Sequence, residues 1–456
     1  MLNQTFSLVN FEDIYDEDNR KGRNFDTVFF PTVSAASNRL SSKARALRAF
    51  KKRHVSYKKY PKGVQRRYDV LLRNLNRQKK RREELISNAL KSVASNINKR
   101  SFRVGIVKNT INTMDVYQRD DTPESYYALR QVSRNIRSLY KTKPANRNII
   151  VSQVQNLLSD DYPYVLIRTD ISSFFESIDQ SRLIHKLVQD QLLSATSIKL
   201  IKQVLWDYSH LAGTPGKGIP RGLSISSDLA ELYLKVVDRK IQEMNGVAFY
   251  ARYVDDIFLL ISPSKLTDTT TYLTEIGNVI SGHGLALNTA KTVQLNRDEH
   301  GKKFDYLGYE FTLRPGHTDI DITSAKFDRL RFRLERSFGS YEKHRHKNAK
   351  AAYRLLLKRI RFLTTNTRLI NNKGNAFVGI FFSNPNLNRH SRLVALDGIL
   401  ANKVANIQSI TLKTKLSSLS FKSGHQQKPF TKFNRHPKFG HSDEFSKIVE
   451  AWRYGN

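Results

Sequence analysis

The nine residues Arg252-Tyr253-Val254-Asp255-Asp256-Ile257-Phe258-Leu259-Leu260, RYVDDIFLL, set two adjacent carboxylates between apolar, β-prone runs. The flanks VAFYARY and IFLLI predict two strands of a hairpin, with Val254, Asp255 and Asp256 as its turn. Two carboxylates at such a tip, with no lysine beside them, repel each other, and a divalent cation relieves that repulsion. A plain solvated turn is the other reading, because Asp is common in turns.

A second acid lies upstream. YVLIRTDISSFFESID reads as an apolar strand ending at Asp170, then a turn, then a helix starting near Ile178 or Asp179. Open α/β sheets place their sites at the carboxyl ends of strands. If this strand lies beside the hairpin, Asp170 and Asp255 can share two Mg²⁺ ions about 4 Å apart. Oxygen-only ligation suits Mg²⁺, with Mn²⁺ as a substitute. One ion would activate a sugar hydroxyl and the other would hold a triphosphate, which is nucleotidyl transfer. Between the two acids runs GTPGKGIPRGLSISSDLAELYLKVV. Gly216, Gly218 and Gly222 let a backbone come close to a ligand. Ser226 or Ser227 is expected to cap a helix whose Leu229, Leu232, Val236 and Val237 face a core. Such a glycine loop is either a phosphate cradle or an ordinary turn.

At 456 residues the chain exceeds one ordinary core, so two or three domains are expected. Lys and Arg number 77 against 41 Asp and Glu, a net charge of +36. That excess calls for a polyanion, and nucleic acid fits best. A membrane partner is not expected: apolar runs such as Ile257 to Ile261 are far shorter than the roughly 20 residues that span a bilayer. The start, MLNQTFSLVNFEDIYDEDN, is acidic and lacks the basic-then-apolar order of a signal peptide. A soluble, cytoplasmic protein is expected. The absence of cysteine excludes disulfides, thiolate zinc sites and a cysteine nucleophile.

The positive charge is uneven. From Lys43 to Arg103 there are 21 Lys and Arg against three acids, Asp69, Glu83 and Glu84. The candidate RNA-binding residues here are Lys51, Lys52, Arg53, Lys58, Lys59, Arg66, Arg67, Lys79, Lys80, Arg81 and Arg82. Phe50, Tyr57, Tyr60 and Tyr68 are interleaved with them, as suits a surface that grips phosphates and stacks bases. A solvated helix face, as in RQKKRREELISNALKSV, is the alternative. From about Tyr164 to Phe311, short β-rich runs alternate with helical patterns, an α/β or α+β texture. Beyond about residue 325 the pattern turns helical and basic, and Ser417 to His441 reads as loop or RNA-ordered tail. The basic surroundings of His344 and His346 argue against a metal there.

In order, DISSFF, GIPRGLSISS, YVDD, GLALNTAKT and FDYLGYEF resemble, block for block, the palm of the reverse transcriptases, over about residues 140 to 312. The resemblance implies an α+β right-hand polymerase. Its expected parts are a basic N-terminal extension (1–100), fingers (101–163), a palm (164–312) and a helical thumb-like region (313–456). It also implies that Asp170 and Asp255 bind the catalytic metals, with the Ile171 backbone carbonyl as a further ligand, and that Asp256 supports them. Phe175 matches the bulky residue that closes off the 2′ side of the sugar, implying dNTP as substrate. Phe174 and Phe175 cannot both be core, since neighbours after a strand end point differently. Gly222 would lie against the incoming nucleotide, beside Arg221. Lys291 matches a lysine near the leaving phosphate, a candidate general acid, with a surface salt bridge as the equal alternative. Tyr306, Leu307 and Gly308 match a primer-gripping hairpin. KTKPANRNIIV resembles the fingers strand whose basic residues, Arg147 and Lys143, hold the triphosphate.

Arg221 stands where retroviral and intron-type enzymes usually have Gln, and adds a fixed positive fork. GIPRGLSISSDLAE looks like the bacterial abortive-infection and defence-associated reverse transcriptases. NFEDIYDEDNRKG and GIFFSNPNLNRHSRLVALDGIL suggest their third type, which works as a pair of polymerases with a noncoding RNA. The implied partners are a noncoding RNA template, a DNA product, dNTPs, a second reverse transcriptase and a homo-oligomer. Template-independent or protein-primed synthesis, and a non-catalytic RNA-binding scaffold, are the alternatives.

Overall fold

The computed structural model describes residues 2–21, 23–55, 59–111, 113–142, 145–160, 162–262, 270–371, 374–427 and 442–453. Tyr57, Lys58, Lys143 and the stretch 428–441 fall outside the described residues. The chain forms two compact units that alternate in sequence: Met1–Lys143 with Ile178–Tyr233, and Pro144–Ser177 with Leu234–Asn456.

The first unit is mainly helical. The helices Pro31–Arg53 and Lys62–Ile97 pack together, sealed by Leu47, Phe50 and Tyr68 with Val64, Leu71, Leu72 and Leu75 against them. Their apolar residues recur at helical spacing and their charges face outward. Acids of the first helix, Leu8–Arg20, and of the segment after it neutralise selected cations. Arg130 grips buried Asp18 through Nε and Nη2 at 2.9 and 2.8 Å. Asp26 accepts from Tyr15 and Ser37 and pairs with Arg82 at 2.9 Å. A hairpin of β1 (Ile106–Ile111) and β2 (Met114–Arg119) follows. The Gln180–Gln189 helix starts where the sequence places it, with Asp179 capping the Arg182 amide at 2.9 Å. The helix Ser224–Gln242, whose residues up to Tyr233 belong to this unit, begins two residues before the first of the expected serine caps. The Ser226 hydroxyl instead donates to the Pro220 carbonyl at 2.6 Å, tying the glycine loop down.

The second unit contains the two larger antiparallel sheets. A four-stranded antiparallel sheet runs in the order β4 (Val247–Tyr253), β5 (Asp256–Ile261), β3 (Val165–Asp170), β6 (Val293–Asn296). β3 and β5 are central, which explains why both read as nearly unbroken apolar runs. A second sheet contains β7 (Lys303–Tyr306), β8 (Tyr309–Arg314) and β9 (His317–Ile322). Their apolar faces share one core with helices Ser324–Arg345, Ala349–Thr364 and Ser391–Ala405. β10 (Asn366–Asn371) and β11 (Gly374–Gly379) form a hairpin within the stretch that reads as helical. The fold is thus α+β, with helices gathered beside antiparallel sheets. Among the described residues, no helix is long and apolar enough to cross a membrane.

Candidate active site

Asp170 ends β3 and Asp256 begins β5, and the two strands pair with Asp170 directly opposite Asp256. Asp255 occupies the adjoining turn, which is narrower than the three residues expected: Val254 and Asp255 alone connect Tyr253 to Asp256. Val254 has φ +60°, a left-handed conformation costly for a β-branched residue. The turn is pinned to β3 by the Ile171 amide, which donates to the Asp255 carbonyl at 3.2 Å. Three acids from segments 85 residues apart are thereby gathered at one end of one sheet.

Two cations face them, and they divide the work. Arg168, two residues back along β3 and so on the same face as Asp170, donates to Asp256 Oδ1 at 2.7 Å and to the Lys291 carbonyl at 2.8 Å. Lys291 Nζ meets Asp170 Oδ2 at 2.9 Å. It ends the 3₁₀ turn Thr289–Lys291, anchored by the Asn288 amide on the Asp170 carbonyl at 2.7 Å and by Thr292 on Thr169 at 2.7 Å. Lys291 therefore makes the salt bridge that was one of its two readings. Its ammonium is stabilised by Asp170, which raises its affinity for its proton.

Asp255 has no such partner at bonding distance among the described residues. Burial and then the charge of Asp170 hold its carboxyl above the usual range. Asp256 is raised by burial, against the pull of Arg168. The site thus carries more negative charge than its own cations offset.

Asp170 and Asp255, with the Ile171 carbonyl, supply hard oxygens suited to Mg²⁺. Among the described residues no three His, Cys, Asp or Glu form a metal cluster. Mg²⁺ is commonly held by one or two carboxylates and takes the rest of its shell from water and substrate phosphates. The surplus of negative charge around Asp255 is what such a cation would neutralise, so the residues fit.

The remaining sequence candidates separate. Phe174 is 1% exposed, whereas Phe175 is only partly buried, so the two rings do point differently. Tyr306, Leu307 and Gly308 form the β7–β8 turn, with Leu307 and Gly308 both at positive φ as a two-residue type I′ hairpin requires. Arg147 does not lie on a strand: it opens the helix Arg147–Leu158, because Asn146 caps the amides of Asn148 and Ile149. Its guanidinium donates to the Leu307 carbonyl at 2.6 Å and covers the Tyr309 ring at 4.9 Å. Lys326, which sequence reasoning passed over, reaches the same turn, at 3.2 Å from the Gly308 carbonyl and 2.6 Å from Asn384.

In the first unit, Arg221 accepts at its carbonyl from the Tyr117 amide at 2.7 Å. Gly222, φ +108°, lies so near β2 that a Cβ would stand 2.7 Å from the Tyr117 carbonyl and from Val116. The close approach this glycine permits is to the protein's own strand. Lys51, Lys52, Arg53, Lys59, Arg66, Arg67, Lys79, Lys80 and Arg81 are exposed. Arg82 turns inward to Asp26 and Tyr15. Phe50 and Tyr68, expected to stack bases, are buried between the two basic helices, because the helix pair needs an apolar seam. Tyr60 remains at the surface.

The family model for reverse transcriptase (RNA-dependent DNA polymerase) matches residues 75–311, more than half of the chain. The chain belongs to the reverse transcriptases. The match spans the three acids, Lys291 and the β7–β8 turn of this reverse transcriptase. No curated protein sequence matches it significantly. Solved structures similar to the reverse transcriptase include an apo telomerase from Candida tropicalis truncated from its C-terminal domain, at 12% identity and TM-score 0.34. It covers 56% of this chain and 70% of that one. The telomerase from Candida albicans with a TWJ fragment of telomeric RNA aligns at 10% identity and TM-score 0.36, covering 81% and 65%. The BmCPV RNA-dependent RNA polymerase at its elongation state aligns at 8% identity and TM-score 0.31, covering 63% and 30%. The reverse transcriptase thus spans less than two thirds of the last two.

Sequence reasoning missed Arg168. Its signal was a lone cation inside an otherwise apolar strand, VLIRTD, where a buried charge needs a partner.

Proposed function

We propose that this reverse transcriptase makes DNA from dNTPs on an associated noncoding RNA, in bacterial defence against phage, with Asp170 and Asp255 as ligands of two Mg²⁺ ions. The observation that carries the catalytic reading is the in-register pairing of Asp170 with Asp256 beside Asp255, which leaves negative charge uncompensated. The defence reading rests on GIPRGLSISSDLAE and its flanking blocks, and the RNA reading on the exposed basic face of the first unit.

When bound, the two ions would activate the primer 3′-hydroxyl and stabilise the leaving pyrophosphate. The chain's own residues do the rest. Arg168 holds Asp256 and, through the Lys291 carbonyl, sets the base of the lysine. Asp256 braces the turn from which Asp255 projects. Lys291 offsets Asp170 and is the cation for which a triphosphate would compete, whether to hold it or to protonate the leaving group. Phe175 limits space at the sugar's 2′ side, and the Tyr306–Gly308 turn holds the primer strand.

Purified full-length chain with its co-purifying RNA, Mg²⁺ and labelled dNTPs should yield polymer that RNase abolishes. Asp170→Asn or Asp255→Asn should reduce it about a thousandfold. Polymer that survives RNase would replace this reading with template-independent synthesis. Phage protection that survives loss of both acids would replace it with a scaffold.

A further inference from the structure

The helix Ala195–Ala212 buries Leu200, Ile201, Val204, Leu205 and Tyr208. Its exposed stripe carries Lys199, Lys202, Trp206 and His210, spaced three or four residues apart along one face. Over those residues the helix advances about 16 Å. Trp206, one of two tryptophans in the chain, is 56% exposed. A large ring left in water needs a reason.

Its surroundings supply one. The His210 ring lies 3.8 Å from the indole, centroid to centroid, and the Arg103 guanidinium sits 5.3 Å above it. The three line a cleft of about 430 Å³ with Gly105, Asp120 and Asp207. Of the two acids there, Asp207 is offset by Arg103 and bonded by Gln203, and Asp120 accepts from the Thr122 hydroxyl at 2.7 Å while keeping its charge. An exposed indole with a guanidinium above it, an imidazole against it and two lysines along the same helix face brings together the groups that stack a base and hold its phosphates.

We propose that this stripe is a binding site for single-stranded nucleic acid, with a base stacked on Trp206 and the flanking phosphates on Lys199, Lys202 and Arg103. The site lies wholly in the first unit and asks nothing of Asp170 or Asp255. It goes beyond the polymerase reading and stands or falls separately from it. A protein partner would find little on the stripe to seal against, since two of its four side chains are lysines.

The test uses the full chain titrated with a short unstructured RNA and with DNA of the same sequence. Binding is read by anisotropy of the labelled strand and by tryptophan fluorescence. Binding should quench the wild type and Trp452→Phe alike, and the quenching should vanish in Trp206→Phe, which keeps a ring and most of the affinity. Trp206→Ala should weaken binding about tenfold. Preference for one strand would say whether the site serves RNA or DNA. Quenching that persists in Trp206→Phe, affinity unchanged in Trp206→Ala, or binding with no quenching would each overturn the proposal. Polymerisation measured on the same samples separates these results from failure at the aspartates.

Discussion

The tip Val254–Asp255 and the tip Leu307–Gly308 are both two-residue connections between antiparallel strands of the second unit, and each places a non-glycine residue at positive φ. They differ in how their charge is settled. The first gathers three acids against Arg168 and Lys291 and leaves Asp255 without a cation at bonding distance among the described residues. The second is neutral, and Arg147 and Lys326 spend hydrogen bonds on its carbonyls. A left-handed turn therefore does not mark a reactive site by itself. What marks it is charge that the fold gathers and does not neutralise.

The largest test of that contrast is Arg168→Gln. It leaves a partly buried Asp256 without its cation, and about 2 kcal/mol of lost positioning should lower polymerisation roughly 30-fold with the fold retained. Activity within twofold of wild type would mean that Asp256 needs no brace. At the neutral tip, Gly308→Ala adds a Cβ 3.2 Å from Arg147 Nη2, at φ +74°. It should cost about 1–2 kcal/mol in denaturant unfolding. An equal loss from Gly301→Ala, φ +82° with open space around it, would leave backbone strain, and not the cation contact, as the cause.

How much of this was legible follows from the kind of signal each residue leaves. The hairpin, the strand before Asp170 and the helix start near Asp179 show themselves through local sequence patterns, and each is where the sequence puts it. Asp170, Asp255 and Lys291 were visible as ordered blocks, and the structure brings all three together. What stayed hidden depends on distant partners. Arg147 looks like a free basic residue until Asn146 starts a helix and Leu307 arrives from 160 positions away. Phe50 and Tyr68 look like stacking rings until two helices close over them. The β10–β11 hairpin was missed because flanking helices dominate its composition.

A smaller effect separates the tips by pH. Burial, reinforced by Arg147 and Arg329, lowers Lys326 to about 8 from 10.5. Between those values the folded chain gives up a proton that the unfolded chain keeps, so stability should rise with pH across that window. Allowing for its partial exposure, wild type should gain about 1 kcal/mol on Lys326→Met between the lower and upper ends of the window, by denaturant unfolding at each pH. A constant gap would mean that Lys326 keeps an ordinary affinity for its proton. The smallest effect belongs to Val254→Gly. Relief of the left-handed strain and the greater freedom of the unfolded chain nearly cancel, so stability should stay within about 1 kcal/mol while polymerisation falls. A fall in stability of several kcal/mol would show that the valine side chain, not the turn, holds the tip.

The pairing of Asp170 with Asp256 has a consequence for how the protein comes into being. Side chains alternate faces along a strand, so if β3 paired with β5 one residue out of step, Asp170 would be carried to the opposite side of the sheet while the apolar run around it remained largely satisfied. Such a product would pass for folded by helix content and size, yet with Asp170 in its proposed role it would make no DNA. Catalytic competence therefore reports on strand alignment more sensitively than any bulk measure of structure, and the fraction of active molecules recovered after refolding counts how often this chain chooses the right partner.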